Sequence, residues 1–218
     1  KSLDEINKNF RELTRNSFSN LGDSISSLIS RTGSNNISSS KIKQFYSSFK
    51  DAEQKNDLTA FEILQSEFSA LNQSITTLIS MKNSLGTAGQ EKMPDEELGD
   101  MYTEALLAFE SGQYGALQTD SAKFEALLKE IRRINDELKS LDDTIKEAEN
   151  DKIETAEAKN FASQANDEFS KGNFNEASGL VALAENYVEE QRNKAMLFGV
   201  VNKNSLIENI SSFLNKFG

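Results

Sequence analysis

Cysteine and histidine are both absent from the 218 residues, tryptophan is absent too, and there is one proline. Each absence excludes something. Without cysteine there is no disulfide framework and no thiolate chemistry. Without histidine the commonest general base and metal ligand are missing, and no Ser–His or Cys–His nucleophilic pair can be written. A helical di-metal site built from Glu-x-x-His pairs is excluded for the same reason. Scarce proline, with only 11 glycines, leaves long stretches free of helix breakers. No run of 18 apolar residues occurs, so no segment reads as a membrane span.

Charge is unevenly placed. The chain carries −11 overall, yet residues 1–50 hold eight Lys or Arg against four Asp or Glu, a balance of +4 that leaves −15 for the remainder. A basic stripe able to neutralise a phosphate backbone is missing, so no nucleic-acid partner is expected. Hydrophobic residues make up 37% and charged residues 27%. Helices that each bury only a stripe have this composition.

Apolar periodicity supplies the fold class. Leu3, Ile6, Phe10 and Leu13 keep heptad spacing, and Phe18, Leu21, Ile25 and Leu28 keep it again out of phase, across a helix over residues 1–32 that Gly33 stops. A second helix starts at one of Ser38 to Ser40 and carries Ile42, Phe45, Tyr46, Phe49 and Ala52. It ends at Lys55-Asn56-Asp57, where Asp57 is placed to cap the third. That third helix repeats Phe61, Leu64, Phe68, Leu71, Ile75, Leu78, Lys82 and Leu85 at alternating three and four. Residues 86–95, with two glycines and the proline, read as a linker between residues 1–85 and 96–218.

Beyond it, Asp95 caps a fourth helix with Leu98, Met101, Tyr102, Ala105 and Phe109 inward, ending at Gly112. The fifth keeps strict heptads through Phe124, Leu127, Ile131, Ile134, Leu138, Leu141, Ile145 and Ala148. Whether residues 114–171 are one helix or two stays open, although Asp151-x-x-Glu154 is a capping box that favours a break. Asn173-x-x-Glu176 opens a seventh helix and Ser205-x-x-Glu208 an eighth. Between those two boxes, Met196-Leu197-Phe198-Gly199-Val200-Val201 reads as a buried run. The expectation is an all-α protein, an elongated array or bundle of antiparallel helical hairpins with long heptad-patterned helices.

Two turns match. Phe109-x-x-Gly112-x-Tyr114 and Phe169-x-x-Gly172-x-Phe174 lie sixty residues apart, and an offset of 56 brings the 55–57 turn onto Gly112. The stretch from Phe169 to Ala177, aromatic-x-x-Gly-x-aromatic-x-x-Ala, with Ala184 beyond it, resembles the mid-repeat turn of a tetratricopeptide motif. The likeness is best over residues 160–190, although the period is near sixty rather than that family's and no proline closes the unit. It implies a protein-binding surface on the inner helices.

Carboxylate groups at Asp95-Glu96-Glu97, Asp142-Asp143 and Glu189-Glu190 are neighbours in sequence, and on a helix adjacent side chains diverge. They read as caps and solvated faces, so no catalytic, cofactor-binding or metal residue is assigned, and no cofactor. Three Asn-x-Ser triplets, at Asn36, Asn72 and Asn209, match chance frequency and say nothing of secretion. The expected function is a non-enzymatic protein-interaction or scaffold module, whose partner is another protein or a second copy. The alternative is a structural spacer, the exposed part of an anchored surface protein, self-associating through residues 61–85 and 124–148. Localisation is unassigned: the segment is either cytoplasmic or exposed. The chain starts at Lys1, and the surface-protein reading expects a leader or anchor outside these boundaries.

Overall fold

The computed structural model describes the backbone of residues 2–217 and the side chains of that span except Leu3, Ile6 and residues 200–217. The fold is all-α. Seven helices and no strand occur among the described residues: α1 (Leu3–Ser34), α2 (Ser40–Lys55), α3 (Leu58–Gln90), α4 (Glu96–Glu110), α5 (Tyr114–Asn150), α6 (Ala156–Ser170) and α7 (Phe174–Phe217). Long and short helices alternate along the chain. The chain divides into two compact units, one ending at Leu128 and the other beginning at Lys129, so the division falls within α5 and not at residues 86–95.

One local device closes all six junctions. A residue with positive φ stands at Asn36, Asn56, Lys92, Gly112, Lys152 and Gly172. The amide of the residue after each one donates to a carbonyl five positions back: Ile37 to Thr32, Asp57 to Ala52, Met93 to Ala88, Gln113 to Ala108, Ile153 to Ala148 and Asn173 to Glu168. This is the Schellman closure, which gives the last helical carbonyls a partner. The junctions are of two kinds in strict alternation. At Asp57, Gln113 and Asn173 the closing residue directly precedes the next helix. At Ile37, Met93 and Ile153 an apolar residue turns inward first, and two further residues precede the helix. Both kinds recur at offsets of 56 and then 60, so the repeat unit is a long helix, an apolar-closed turn, a short helix and a tight turn.

Several boundaries differ from the sequence reading. Gly33 does not stop α1, which ends two residues before the left-handed Asn36. Gly86 and Gly89 lie inside α3, leaving only residues 91–95 non-helical in the expected linker. Isolated glycines cost a helix only about 1 kcal/mol each relative to alanine, less than packing recovers. The expected eighth helix is not separate: α7 runs unbroken past Gly199 and Ser205 to Phe217. Residues 114–171 form two helices, and the break follows Asn150. The Asp151 capping box does not form there. Lys152 adopts the left-handed conformation, Ile153 turns inward, and α6 starts at Ala156 with Thr155 in the cap position.

In the first unit α1, α2 and α4 all pack on α3, and α2 also touches α1 and α4. Phe18 of α1 stacks at 4.5 Å on Phe61 and at 6.2 Å on Phe49. Ile25, Phe49, Leu71, Ile75, Leu78 and Met81 are fully buried. Phe10 and Leu13 are exposed despite their heptad spacing, and the nearby buried residue is Thr14, whose hydroxyl returns to the Phe10 carbonyl at 2.9 Å. The other two residues of that stripe, Leu3 and Ile6, lie outside the described side chains.

In the second unit α6 packs on α7 through small residues: Ala158, Ala162 and Ala165 on one side, Ala177, Val181, Ala184 and Val188 on the other. Small side chains bring helix axes together. Ile131, Ile134, Leu138, Leu141, Ile145 and Ala148 of α5 are buried. The run expected to be buried on α7 is not: Met196, Leu197 and Phe198 are each about 70% exposed (68%, 67% and 69%), and the side chains of Val200 and Val201 lie outside the description, as does the Leu206–Phe217 face.

Candidate interaction groove

The first apolar-closed turn creates a groove. Thr32 and Ile37 lie on either side of the left-handed Asn36, and the chain then reaches the buried Ser39, which caps α2 by accepting the Ile42 amide at 3.3 Å. The end of α1 and the start of α2 thereby diverge from a common corner. Between them lies an open groove of about 650 Å³, within the range of roughly 300–1,000 Å³ common for ligand sites. Ile29, Ile37, Ile42 and Tyr46 supply its apolar lining, and Lys43 is its one charged residue among the described residues. Ile29 and Tyr46 are each 37% exposed, so large apolar surface faces water here.

Polar contacts fix both walls. Lys82 of α3 donates from Nζ to the carbonyls of Asn35 at 2.7 Å and Asn36 at 3.1 Å, holding the corner after α1. Arg31 donates to Asn72 at 3.0 Å and to Thr76 at 2.8 Å, tying the last turn of α1 to α3. The start of α2 is held by Glu110, the final residue of α4. Its Oε2 accepts from the Ser40 amide at 3.1 Å, the Lys41 amide at 3.3 Å and the Ser40 hydroxyl. A carboxylate at a helix N-terminus meets both free N–H groups and the positive end of the helix dipole. Burial pushes the Glu110 carboxyl up, but hydrogen bonds from Ser39, Ser40 and Lys41 outweigh it and hold the group below its ordinary value.

Beside this cap, Lys41 bridges to Glu67 of α3 at 3.0 Å. The Glu67 hydrogen bond raises the Lys41 ammonium, and burial raises the nearby Tyr114 phenol. The arrangement anchors helices; its charges are spent on one another.

The carboxylate groups singled out in the sequence do not converge. Among the described residues no cluster of three or more Asp or Glu could hold a metal ion. Asp95 occupies the cap position of α4 but makes no side-chain capping bond. Asp57 does cap, accepting from the Ala60 amide at 3.0 Å. Asn173 instead donates its amide to Glu168 at 2.6 Å. No described helix is long and apolar enough to cross a membrane.

Sequence reasoning missed the groove residues Ile29, Gly33, Lys43 and Tyr46. A signal was present. Aligning the apolar turn residues Ile37, Met93 and Ile153, with Ser39, Asp95 and Thr155 two residues on, exposes a second periodic turn. Its lysines at the left-handed position hide it, because lysine is not a turn residue by propensity.

No family model, curated protein or solved structure matches this chain.

Proposed function

We propose that the chain is a non-enzymatic protein-interaction or scaffold module in which the recurring turns build antiparallel hairpins similar to tetratricopeptide units. One observation carries the reading: an open apolar groove whose two walls are pinned by Lys82 and Glu110 and whose Ile29 and Tyr46 stay partly exposed. A preorganised apolar surface binds without first having to be ordered, which removes one of the costs of association. The aromatic pairs Phe109–Tyr114 at 6.1 Å and Phe169–Phe174 at 6.0 Å, one across each tight glycine turn, support the hairpin reading.

The alternative is a spacer that self-associates through residues 61–85 and 124–148. None of its named seam residues is exposed: Phe68, Lys82, Leu85 and Leu127 are half-buried and the rest are buried. Seams already covered within the chain have little surface left for a second copy, and this favours the interaction reading.

The test joins sedimentation equilibrium with reconstitution. Partners cross-linked to the chain in a native extract are purified and remixed with it. A stoichiometric heteromeric complex is expected. A stable homo-oligomer that retains no partner would overturn the reading.

A further inference from the structure

The internal repeat supplies a comparison within the chain. Shifting by 116 residues carries Asn36 onto Lys152, Ile37 onto Ile153 and the cap Ser39 onto Thr155. The same shift carries Ile29, Gly33, Lys43 and Tyr46 of the groove onto Ile145, Glu149, Lys159 and Ala162. These four line a smaller and more polar depression of about 380 Å³ in the second unit. There, Glu149 and Lys159 form an ion pair across the depression. Glu149 also accepts from the Thr155 hydroxyl at 3.3 Å, and the Lys159 contact holds the Glu149 carboxyl below its ordinary value.

In the first repeat the lysine is kept and the carboxylate is not. Gly33 stands where Glu149 would be, and nothing lies within 4 Å of the space a Cβ would occupy there. Lys43 makes no ion pair among the described residues. The alanine at position 162 is matched by Tyr46, which enlarges the apolar wall. The middle repeat has glycine at both positions, Gly89 and Gly99, and so carries neither charge. Only the first repeat offers a cation without its carboxylate beside apolar surface.

We infer that this groove takes an amphipathic helical segment of a partner protein that inserts large apolar side chains between α1 and α2 and gives Lys43 the carboxylate that Glu149 gives Lys159. The inference rests on the interaction reading above and assigns its site. Charge complementarity selects the occupant: among the described residues the lining has one cation and no anion. A polypeptide fits better than an acyl chain because the groove is open to water, with Ile29 and Tyr46 each 37% exposed. A helix keeps its polar face in water there, whereas a hydrocarbon chain would remain half exposed.

The experiment uses the full chain and a labelled fifteen-residue helical peptide with leucines at i, i+3, i+4 and i+7 flanked by glutamates. Matched peptides carry glutamine or lysine in place of glutamate. The wild-type chain is expected to bind the glutamate peptide roughly two- to five-fold more tightly than the glutamine peptide. Lys43→Gln should abolish that preference, and Lys43→Glu should transfer it to the lysine peptide. Gly33→Glu, which rebuilds the ion pair of the third repeat in open space, should weaken binding about two- to five-fold with a thermal midpoint and helicity no lower than those of the wild type.

Absence of binding by the glutamate peptide, or binding indifferent to both Gly33→Glu and Lys43→Gln, overturns the proposal. So does tighter binding of sodium laurate at the same residues, which would assign the groove to a fatty carboxylate. A mass that rises with concentration in the wild type and not in Gly33→Glu would seat a second copy there, also overturning it. A reconstituted complex that survives Gly33→Glu removes the groove and leaves the interaction reading standing.

Discussion

The carboxylate of Glu110, which ends α4, accepts both the amide and the hydroxyl of Ser40, which begins α2. A helix N-terminus is thus capped by a side chain seventy residues away in sequence. The contact fixes the α2 wall of the groove.

That cap makes stability depend on pH in a defined direction. The Glu110 carboxyl lies below its ordinary value in the folded chain. A depressed carboxyl stabilises the fold fully above its unfolded value, and the contribution is lost as pH falls through the folded value. The thermal midpoint of the wild type should therefore fall on acidification from about pH 5 downward, and that of Glu110→Gln should fall less. At neutral pH Glu110→Ala should cost about 1–2 kcal/mol in urea unfolding, the scale of a lost charged cap. A wild-type and Glu110→Gln pair with parallel pH profiles would contradict the assignment.

Lys82 occupies a position whose spacing reads as a core seam, yet it is half-buried with its ammonium on the Asn35 and Asn36 carbonyls. Lys82→Met keeps the aliphatic stem and removes the donor. It should destabilise the chain by about 1–2 kcal/mol, because two carbonyls at the end of α1 lose a charged partner. Lys82→Arg, which retains donors, should recover part of the loss. Equal stability of wild type and Lys82→Met in urea titration would show that the carbonyls find other partners.

Two glycines should respond with opposite sign. Gly172 has φ +80, a conformation that costs an L-residue about 1–2 kcal/mol. Gly86 lies within α3 with nothing within 4 Å of an added Cβ. Gly172→Ala should lower the thermal midpoint, whereas Gly86→Ala should raise it, with a gain of about 0.5–1 kcal/mol. Calorimetry on both variants separates the effects, and a shift of the same sign in both would refute the conformational argument.

The sequence alone determined the all-α class and the positions of the tight turns at Asn56-Asp57, Gly112 and Gly172. Those features are governed by residues within a turn or two of one another: apolar spacing, scarce breakers, and a Gly or Asn tolerant of positive φ. Tertiary structure decided the rest. It placed lysines in the left-handed positions 92 and 152, where the inward-turned Met93 and Ile153 outweigh propensity. It left Phe10 and Leu13 exposed although their spacing reads as core, and Met196–Phe198 exposed although their apolar run reads as buried. It paired Glu110 with Ser40 and Lys82 with Asn35, and it opened the groove beside Lys43. The physical reason is that periodicity says which face of a helix is apolar, while only the packed neighbours decide whether that face is covered.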